Sequence, residues 1–542
     1  MTDSTLEPVA PRLAPWMIAI PLALHLLLAS YYALALPLWG AVPDEPLHYS
    51  HIKYVAENWR LPVIEDPFRD LKEYYFVADP AGAAQHGPTY YWSAAVIYKL
   101  TEGLTLTSQQ TVLRMYSVLL GLLTVYLAFL SFKLLFPRDP RLIFACTLLF
   151  ALMPHRLLMS AVLYADVMAI LATTAAVYAI IWCVVTGQGW KGWLVAGLVF
   201  GFDMITKTSA IVVLPGLLVT GVLLWRYRRG PAGAVAQDAT PAAWSLGNLA
   251  VRAGCFLAGM VAVSGWWLVR SFHLYGELFP TEPKPPGYGW LDIAFDPMFP
   301  RLLWMAIRGY WLSIWSQVGW LPQSLAMPMY AVLLVGTAVT VVGLVAGLRG
   351  RYRGVEGGTM ALAWGFIITG LVTFYAGLQR TLLVSFHSNE QTGKHAQTIL
   401  VPFLLLAVLS WRQLLRARRV VYPILLGAGL MLLFNLLSIY NLQTNLIPRF
   451  APTPPPMSTW KVKDLPVGGV PWVKNRPNTP NRYLIHDKQA NRPDPQDGQR
   501  PVAKQLSQAG HQQQREAHHA HQNVAATRVE LDIHRPVCPL LA

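Results

Sequence analysis

Charged residues are scarce in this sequence. They make up 13% of the 542 residues, whereas 54% are hydrophobic, and soluble domains usually carry about a quarter charged residues. The composition therefore excludes an ordinary soluble domain and is typical of a protein that lies mostly within a membrane.

Cysteine is scarce as well. Three of the four cysteines, Cys146, Cys183 and Cys255, fall within apolar runs, and Cys538 stands alone near the C-terminus. This distribution offers no disulfide framework.

Apolar runs of a length suited to crossing a membrane recur along most of the chain. A helix needs about 20 predominantly apolar residues to span the hydrocarbon, and the pattern predicts eleven such helices. We place them at 14–36, 112–135, 141–156, 164–186, 190–205, 208–226, 248–271, 326–348, 358–378, 396–411 and 419–440. The sequence thus predicts an all-α polytopic membrane protein, and we expect the first run to be a retained anchor.

The basic residues indicate the orientation of these spans. If residues 1–13 are cytoplasmic, alternation places "FPRDPR", "RYRRG", "RGRYRG" and "RQLLRARR" in cytoplasmic loops, as the positive-inside rule requires. This orientation accounts for the net charge of +15 without a nucleic-acid partner. It also predicts three outer loops, at 37–111, 272–325 and 379–395.

The C-terminal segment, 441–542, differs in composition from the rest. From about residue 451 it is rich in Pro, Gln, His and Asn and poor in large aliphatic residues. Such a sequence buries too little apolar surface to offset its ordering entropy. We therefore expect a mostly disordered tail on the extracytoplasmic side of the 14–440 membrane domain.

The first outer loop begins with "PDEPLHYSHIKYVAENWRLP", residues 43–62. Glu45 and Pro46 suit the start of a helix, and the residues that follow predict an amphipathic helix at the membrane surface. His48 and His51 share a helix face with an acidic residue one turn earlier. The side chains can converge on one site, or Asp44 can simply cap the helix.

A second outer helix is predicted within "QHGPTYYWSAAVIYKL", residues 85–100. It is too short for a span and carries aromatic residues near its Gly-Pro entry. Tyr90 and Tyr91 can stack on a sugar or anchor the helix among lipid head groups, and anchoring is the commoner use.

The order of these and later motifs resembles a known family. The first span, "PDEPLHYSHIKYVAENWRLPV", "AQHGPTYYW" and "LRMYSVLLGLLTVYLAF" are similar to the bacterial members of the GT-C superfamily that use lipid-linked sugars. These are relatives of the protein O-mannosyltransferases and aminoarabinose transferases. The resemblance continues through "ALMPHRLLMSAVLYADVMAI", "GFDMITKTSAIVVLP", "SIWSQVGWLPQSLAMPMY" and "EQTGKHAQTILVPFLLLAV", and covers about residues 10–440.

Two positions depart from the family pattern. Residues 85–91 read Gln-His-Gly-Pro-Thr-Tyr-Tyr where the family often has His-Gln-Pro-Pro-Leu-Tyr-Tyr, and Lys394 with His395 stands in the region of an Arg-Tyr pair. The acidic pair is intact. The departures therefore affect the part of the site that recognises the donor.

The resemblance implies a GT-C-like bundle with outer juxtamembrane helices and an inverting glycosyltransferase activity. The donor would be a polyprenyl-phosphate sugar, and the acceptor an unidentified lipid, glycan or protein. The protein would lie in a bacterial inner membrane, among membrane lipid, with its site facing the periplasm or exterior.

Such a transfer needs a carboxylate to remove the acceptor proton and cations to stabilise the departing phosphate. By motif position Asp44 is the expected base, with Glu45 beside it. The expected phosphate ligands are His48, His86, Arg114, Lys394 and His395, and the expected substrate contacts are Tyr90, Tyr91, Asp166, Lys207 and Trp320.

Several alternatives remain open at this stage. Arg114 can instead reach lipid head groups, and Asp203 and Lys207, four residues apart on a helix, can satisfy each other. No ligand spacing demands a metal, although a divalent ion with Asp44, Glu45, His48 and Asp166 is possible; we expect no obligatory cofactor.

The rival functions are a transporter or flippase for a lipid-linked glycan, and an inactive scaffold. The concentration of acidic, histidine and aromatic residues in the outer loops favours the enzyme over the transporter.

Overall fold

A computed structural model describes the greater part of residues 1–480, the larger of two compact units into which the chain divides. The described residues are 13–37, 45–63, 86–227, 245–280, 295, 297–315, 327–350, 357–383, 392–415 and 419–450. Every regular element within them is a helix.

The described residues of the first half of the chain form nine α-helices. They are α1 (Trp16–Ala35), α2 (Glu45–Asn58), α3 (Pro88–Leu100), α4 (Leu106–Leu135), α5 (Pro140–Leu152), α6 (Pro154–Met159), α7 (Ala165–Val185), α8 (Trp190–Thr206) and, after a 3₁₀ turn at Thr208–Val212, α9 (Val213–Tyr227).

Seven more helices lie in the ranges of the second half that the structure describes. They are α10 (Leu246–Tyr275), α11 (Phe299–Trp315), α12 (Met327–Gly350), α13 (Gly357–Leu383), α14 (Leu400–Leu414), α15 (Val421–Asn441) and α16 (Ile447–Phe450). A 3₁₀ helix at Thr392–Ile399 leads into α14, and a π-helical turn at Leu442–Leu446 joins α15 to α16.

Across all the described ranges, from residue 13 to residue 450, nine helical segments are long and apolar enough to cross a membrane. They correspond to nine of the eleven predicted spans, so the prediction of an all-α multi-pass membrane protein is confirmed. The other two predicted spans are shorter helices: α5 has 13 residues and α8 has 17.

The predicted third span, 141–156, is interrupted. Met153 leaves the helical conformation at φ −61° and ψ 118°, and α6 restarts at Pro154. Proline disfavours the helical conformation in the residue that precedes it and lacks the N–H that would continue the ladder. The break turns the chain toward the segment that begins α7.

Helical structure extends past one predicted domain boundary and also occurs within one predicted loop. Helical structure continues to Phe450, beyond the predicted end of the membrane domain at 440. Within the predicted second outer loop, 272–325, the structure contains α11. Residues 451–542, including the predicted tail, lie outside the described residues.

Two of the loops predicted to be cytoplasmic lie on the same side of the bundle. Arg412, at the end of α14, places Nη2 3.8 Å from Oδ2 of Asp139, which caps α5. This contact agrees with the prediction that both loops lie on one side of the membrane, and the choice of the cytoplasmic side stays a prediction.

A separate apolar cluster lies where α2 and α3 pack against the start of α4 and the start of α7. Its fully buried members include Tyr49, Ile52, Tyr91, Leu113 and Leu163. The cluster fixes the two short outer helices on the ends of the long ones, and the polar residues considered below lie around it.

Candidate functional site

The most tightly bonded polar group is a buried ion pair between α2 and α4. Glu45 Oε1 accepts from Arg114 Nε at 2.8 Å, and Glu45 Oε2 accepts from Arg114 Nη2 at 2.6 Å. Glu45 is 0% exposed and Arg114 is 3% exposed. This is the bidentate geometry in which a guanidinium and a carboxylate match best.

Arg114 also bonds the end of α1. Its Nη1 donates to the carbonyls of Ala33 and Leu36 at 3.1 and 2.7 Å, and Nη2 donates to the carbonyl of Pro37 at 3.2 Å. A guanidinium has five N–H donors, and together with the two bonds to Glu45 all five are used. Arg114 therefore satisfies the unpaired carbonyls at the α1 C-terminus.

These bonds correct two expectations for Arg114. Since it is buried, its side chain does not reach out to lipid head groups. Since each of its N–H groups has an acceptor, Arg114 has no donor left for a phosphate, and the prediction that it is a phosphate ligand does not fit the structure. Sequence spacing gave no sign of this pairing, because Glu45 and Arg114 are 69 residues apart.

Glu45 has a third partner that sequence reasoning missed. The backbone N–H of Leu163 donates to Glu45 Oε1 at 3.2 Å. We call Glu45, Arg114 and their partners at the α1 end and Leu163 the outer hub. It joins α1, α2, α4 and the turn before α7, and so fixes the first residue of α2, which directly follows Asp44 in the chain.

A stack of aromatic and imidazole rings lies one turn along α2. His48 Nδ1 is 2.8 Å from the Tyr91 hydroxyl, and the His51 ring stacks on the Tyr91 ring with centroids 3.7 Å apart. His48 also stacks with His86 at 5.9 Å and meets the edge of Tyr164 at 5.0 Å. His48 and His51 thus both contact Tyr91, whereas Glu45 is bonded to Arg114 and Asp44 lies outside the described residues, so convergence of all four side chains stays a prediction.

The two tyrosines predicted to contact substrate are buried. Tyr90 and Tyr91 are 1% and 0% exposed, and the Tyr90 hydroxyl lies 3.4 Å from Ser117 Oγ. Neither ring is open to stack on a sugar or to anchor in head groups. Trp92 is the exposed aromatic of α3, and it stacks on Trp266 of α10.

Burial makes these histidines hard to protonate. Burial, with a smaller contribution from the nearby His48, lowers the pKa of His51 to about 3. For His86, burial is again the main cause of a lowered pKa, and Lys207 and His48 add to it while Asp166 opposes it. Both imidazoles are therefore neutral at pH 7 in the structure as it stands.

A second buried ion pair lies between the start of α7 and the residue that follows α8. Lys207 Nζ is 2.6 Å from Asp166 Oδ1, with both side chains largely buried. The Asp203–Lys207 pairing that the spacing suggested is replaced by this contact. The reason is that α8 ends at Thr206 and Lys207 is extended at φ −154°, so its side chain leaves the face of Asp203. Asp203 accepts instead from the Thr173 hydroxyl at 3.0 Å.

Four predicted site residues are not tested by these contacts. Asp44 and Trp320 lie outside the described residues. Lys394 and His395 belong to the 3₁₀ helix Thr392–Ile399, of which the structure describes the backbone at these positions and not the side chains.

The described ranges contain no group of three or more His, Cys, Asp or Glu side chains arranged to hold a metal ion. Glu45 and Asp166, two of the four residues considered for a mixed shell, are each paired with a cation. Asp44, a third, lies outside those ranges.

Comparison with known proteins finds a partial match to one family model. Residues 85–233 match the family model for dolichyl-phosphate-mannose-protein mannosyltransferases. The match covers less than half of the chain. It includes α3 to α9, with His86 and the Asp166–Lys207 pair, and it confirms the resemblance to lipid-linked glycosyltransferases over that part. No curated protein matches the chain.

Solved structures of two membrane proteins are similar at low identity. The apo oligosaccharyltransferase of Archaeoglobus fulgidus shares 14% identity at a TM-score of 0.43, over 90% of this chain and 61% of that one. This chain therefore spans less than two thirds of that relative's length. ArnT from Cupriavidus metallidurans, bound to undecaprenyl phosphate, shares 14% identity at a TM-score of 0.36, over 74% of this chain and 78% of that one. Likeness at this level carries no residue roles to this chain.

The unusual state of His51 leads to a prediction about pH. Its pKa is about 3 in the folded protein and about 6.5 in an unfolded chain. At pH values between about 3 and 6.5, the unfolded state therefore binds more protons at His51 than the folded state does. The contribution of His51 to the free energy of unfolding is constant above pH 7 and falls as the pH drops below about 6.5. At pH 5 the loss due to His51 is about 2 kcal/mol.

Replacing His51 with phenylalanine keeps a ring against Tyr91 and removes this linkage. We expect the thermal midpoint of purified His51→Phe protein to fall less between pH 7 and pH 5 than that of the wild type. The matched control is His273→Phe at an exposed position on α10, which should retain the wild-type fall. Parallel acid profiles for the wild type and His51→Phe would contradict the assignment.

Proposed function

We propose that this protein is a membrane glycosyltransferase that moves a monosaccharide from a polyprenyl-phosphate donor to an acceptor. The single observation that carries the proposal is the outer hub. It fixes the start of α2 beside the turn that leads to Asp166, on the part of the bundle where His86 and Lys207 also lie. The family match over residues 85–233 supports the same reaction class.

In the proposed reaction an acceptor hydroxyl or amine attacks the anomeric carbon of the sugar. The bond from that carbon to the phosphate oxygen breaks, and the polyprenyl phosphate leaves with the electron pair. Asp44 takes the proton from the acceptor. A single displacement of this kind inverts the configuration at the anomeric carbon.

Glu45 serves this reaction indirectly. Because both of its oxygens are bonded to Arg114 and one also accepts from Leu163, it is held in place and serves as an anchor. Anchoring the residue next to a catalytic group limits the distance over which that group can drift. We assign catalysis to Asp44 and positioning to Glu45 and Arg114.

The donor phosphate needs a positively charged ligand, and Arg114 has no N–H donor left for it. Lys207 is a cation close to His86, and an ammonium can change partners from a carboxylate to a phosphate because its three N–H donors rotate freely. We assign the phosphate to Lys207 with His86 and His48, to which Lys394 and His395 can contribute. Release of Asp166 from Lys207 would then leave a carboxylate available to the acceptor.

The predicted orientation places this chemistry on the extracytoplasmic face of a bacterial inner membrane, where a lipid-linked donor presents its sugar. The test supplies membranes containing the protein with a panel of radiolabelled polyprenyl-phosphate sugars and follows the label. Transfer from one donor to a new product, absent from membranes without the protein, supports the proposal. Movement of intact donor across the membrane without a product would favour the transporter instead.

A further inference from the structure

The start of α3 and the end of α8 meet at unusually close range. Gly87 is the N-cap of α3, and a Cβ atom built there would lie 1.9 Å from the carbonyl oxygen of Ile205 and 3.0 Å from that of Thr206. No side chain fits in that space. The approach is backbone to backbone, and only glycine permits it.

A pair of hydroxyl groups bonds the same two helix ends. Thr89 Oγ1 donates to Thr206 Oγ1 at 2.8 Å, and Thr206 Oγ1 donates in turn to the Phe202 carbonyl at 2.8 Å. We call Gly87, Thr89, Ile205 and Thr206 the α3–α8 joint. The helix dipoles also attract each other at this joint, because the positive N-terminal end of α3 faces the negative C-terminal end of α8.

Each side of the joint carries a basic residue as its immediate neighbour in the chain. His86 precedes Gly87, and Lys207 follows Thr206. The two are close enough for the charge of Lys207 to act on His86, and Lys207 extends away from α8 to reach Asp166. The separation of His86 and Lys207 is therefore set by how closely α3 and α8 approach.

We propose that the α3–α8 joint is a positioning device, in which Gly87 and Thr89 hold His86 beside Lys207 so that both can bind the phosphate of the lipid-linked donor. The inference rests on the proposed function. It adds Gly87, which has no side chain, and Thr89, which has a neutral hydroxyl. Their role is to set the distance between the phosphate ligands His86 and Lys207.

The joint separates donor binding from the rest of the reaction. An alanine at position 87 must push the start of α3 away from α8, which moves His86 relative to Lys207. A displacement of about 1 Å can cost roughly 100-fold in rate when it affects a reacting or binding group. We expect the loss in Gly87→Ala to appear mainly in the KM for the donor, with the KM for the acceptor unchanged.

The experiment measures both KM values and kcat for the wild type, Gly87→Ala, Thr89→Val and Thr89→Ser. Gly103→Ala is the matched control, because a Cβ at Gly103 has nothing within 4 Å. The donor KM should rise by about 10-fold or more in Gly87→Ala, rise less in Thr89→Val, and return toward the wild-type value in Thr89→Ser. An unchanged donor KM in a folded Gly87→Ala protein, or a loss of kcat alone, would overturn the inference.

A second measurement distinguishes failure of the joint from failure of the proposed function. Thermal unfolding of Thr89→Val, Thr206→Val and the double variant tests whether the two hydroxyls are coupled, independently of any activity. Coupling without sugar transfer by the wild type would retain the joint and reject the function. Transfer by the wild type with additive effects at the two threonines would reject the joint.

Discussion

Replacing Arg114 with methionine should destabilise the protein more than any other single change considered for the described residues. The variant removes five hydrogen bonds and leaves the Glu45 carboxylate buried without its cation. Breaking a buried ion pair by removing one partner typically costs about 3–5 kcal/mol. The expected result is a thermal midpoint far below that of the wild type, or failure to accumulate in the membrane.

The control is Lys99→Met on α3. Lys99 forms a 2.6 Å ion pair with Glu102, but both side chains are 37% exposed, and exposed pairs contribute about 0–1 kcal/mol. This variant should unfold close to the wild-type temperature. If Arg114→Met also unfolded close to the wild-type temperature, the outer hub would not be the anchor described above.

Replacing Asp44 with asparagine should remove nearly all sugar transfer while leaving the protein folded. Asparagine has nearly the same shape as aspartate but cannot take the acceptor proton, and general-base assistance is typically worth about 10² to 10⁴ in rate. The rate of transfer in membranes measures the effect, and the amount of inserted protein normalises it. The donor KM should change little, because the phosphate is assigned to other residues.

Glu57→Gln provides the matched control for Asp44→Asn. Glu57 is an exposed carboxylate near the end of α2, so its replacement removes the same charge as Asp44→Asn at a position away from the candidate site. Transfer should remain near the wild-type rate. Loss of activity in both variants would indicate an effect of charge at the membrane surface and would remove the specific role of Asp44.

Hydropathy was sufficient to predict most of the helices, because a membrane demands long apolar segments and these are visible in sequence. It failed where local chemistry intervened. The break at Met153 follows from Pro154, a signal present in the sequence but outweighed by the apolar run around it. The helix α11 lies in the segment 272–325, which falls between two predicted spans and was therefore predicted only as an outer loop.

The site was predictable at the level of motifs and not of partners. The sequence placed Glu45, His48, Asp166 and Lys207 among the candidates, but ion pairing is decided by tertiary contacts. Glu45 pairs with Arg114 on α4, and Lys207 pairs with Asp166 at the start of α7. The pairing predicted from i, i+4 spacing failed because one residue, Lys207, lies just beyond the helix end.

Gly87 and Thr89, which belong to the segment 85–91 that departs from the family pattern, illustrate the same limit. In the sequence they read as a weakened donor motif. In the structure Gly87 permits contact with the backbone of α8, and Thr89 supplies a hydrogen bond to it. The effect of either residue depends on α8, more than 100 residues away in the chain, which no local pattern could reveal.

The most direct test of the account follows the donor itself in sealed proteoliposomes that contain purified protein and the radiolabelled polyprenyl-phosphate sugar accepted by the membranes. The two quantities measured are release of sugar-free polyprenyl phosphate and movement of intact donor between leaflets. The account predicts that the wild type, given acceptor, releases polyprenyl phosphate in step with product formation, and that Asp44→Asn releases almost none. Movement of intact donor by both proteins, with no cleavage by either, would contradict it.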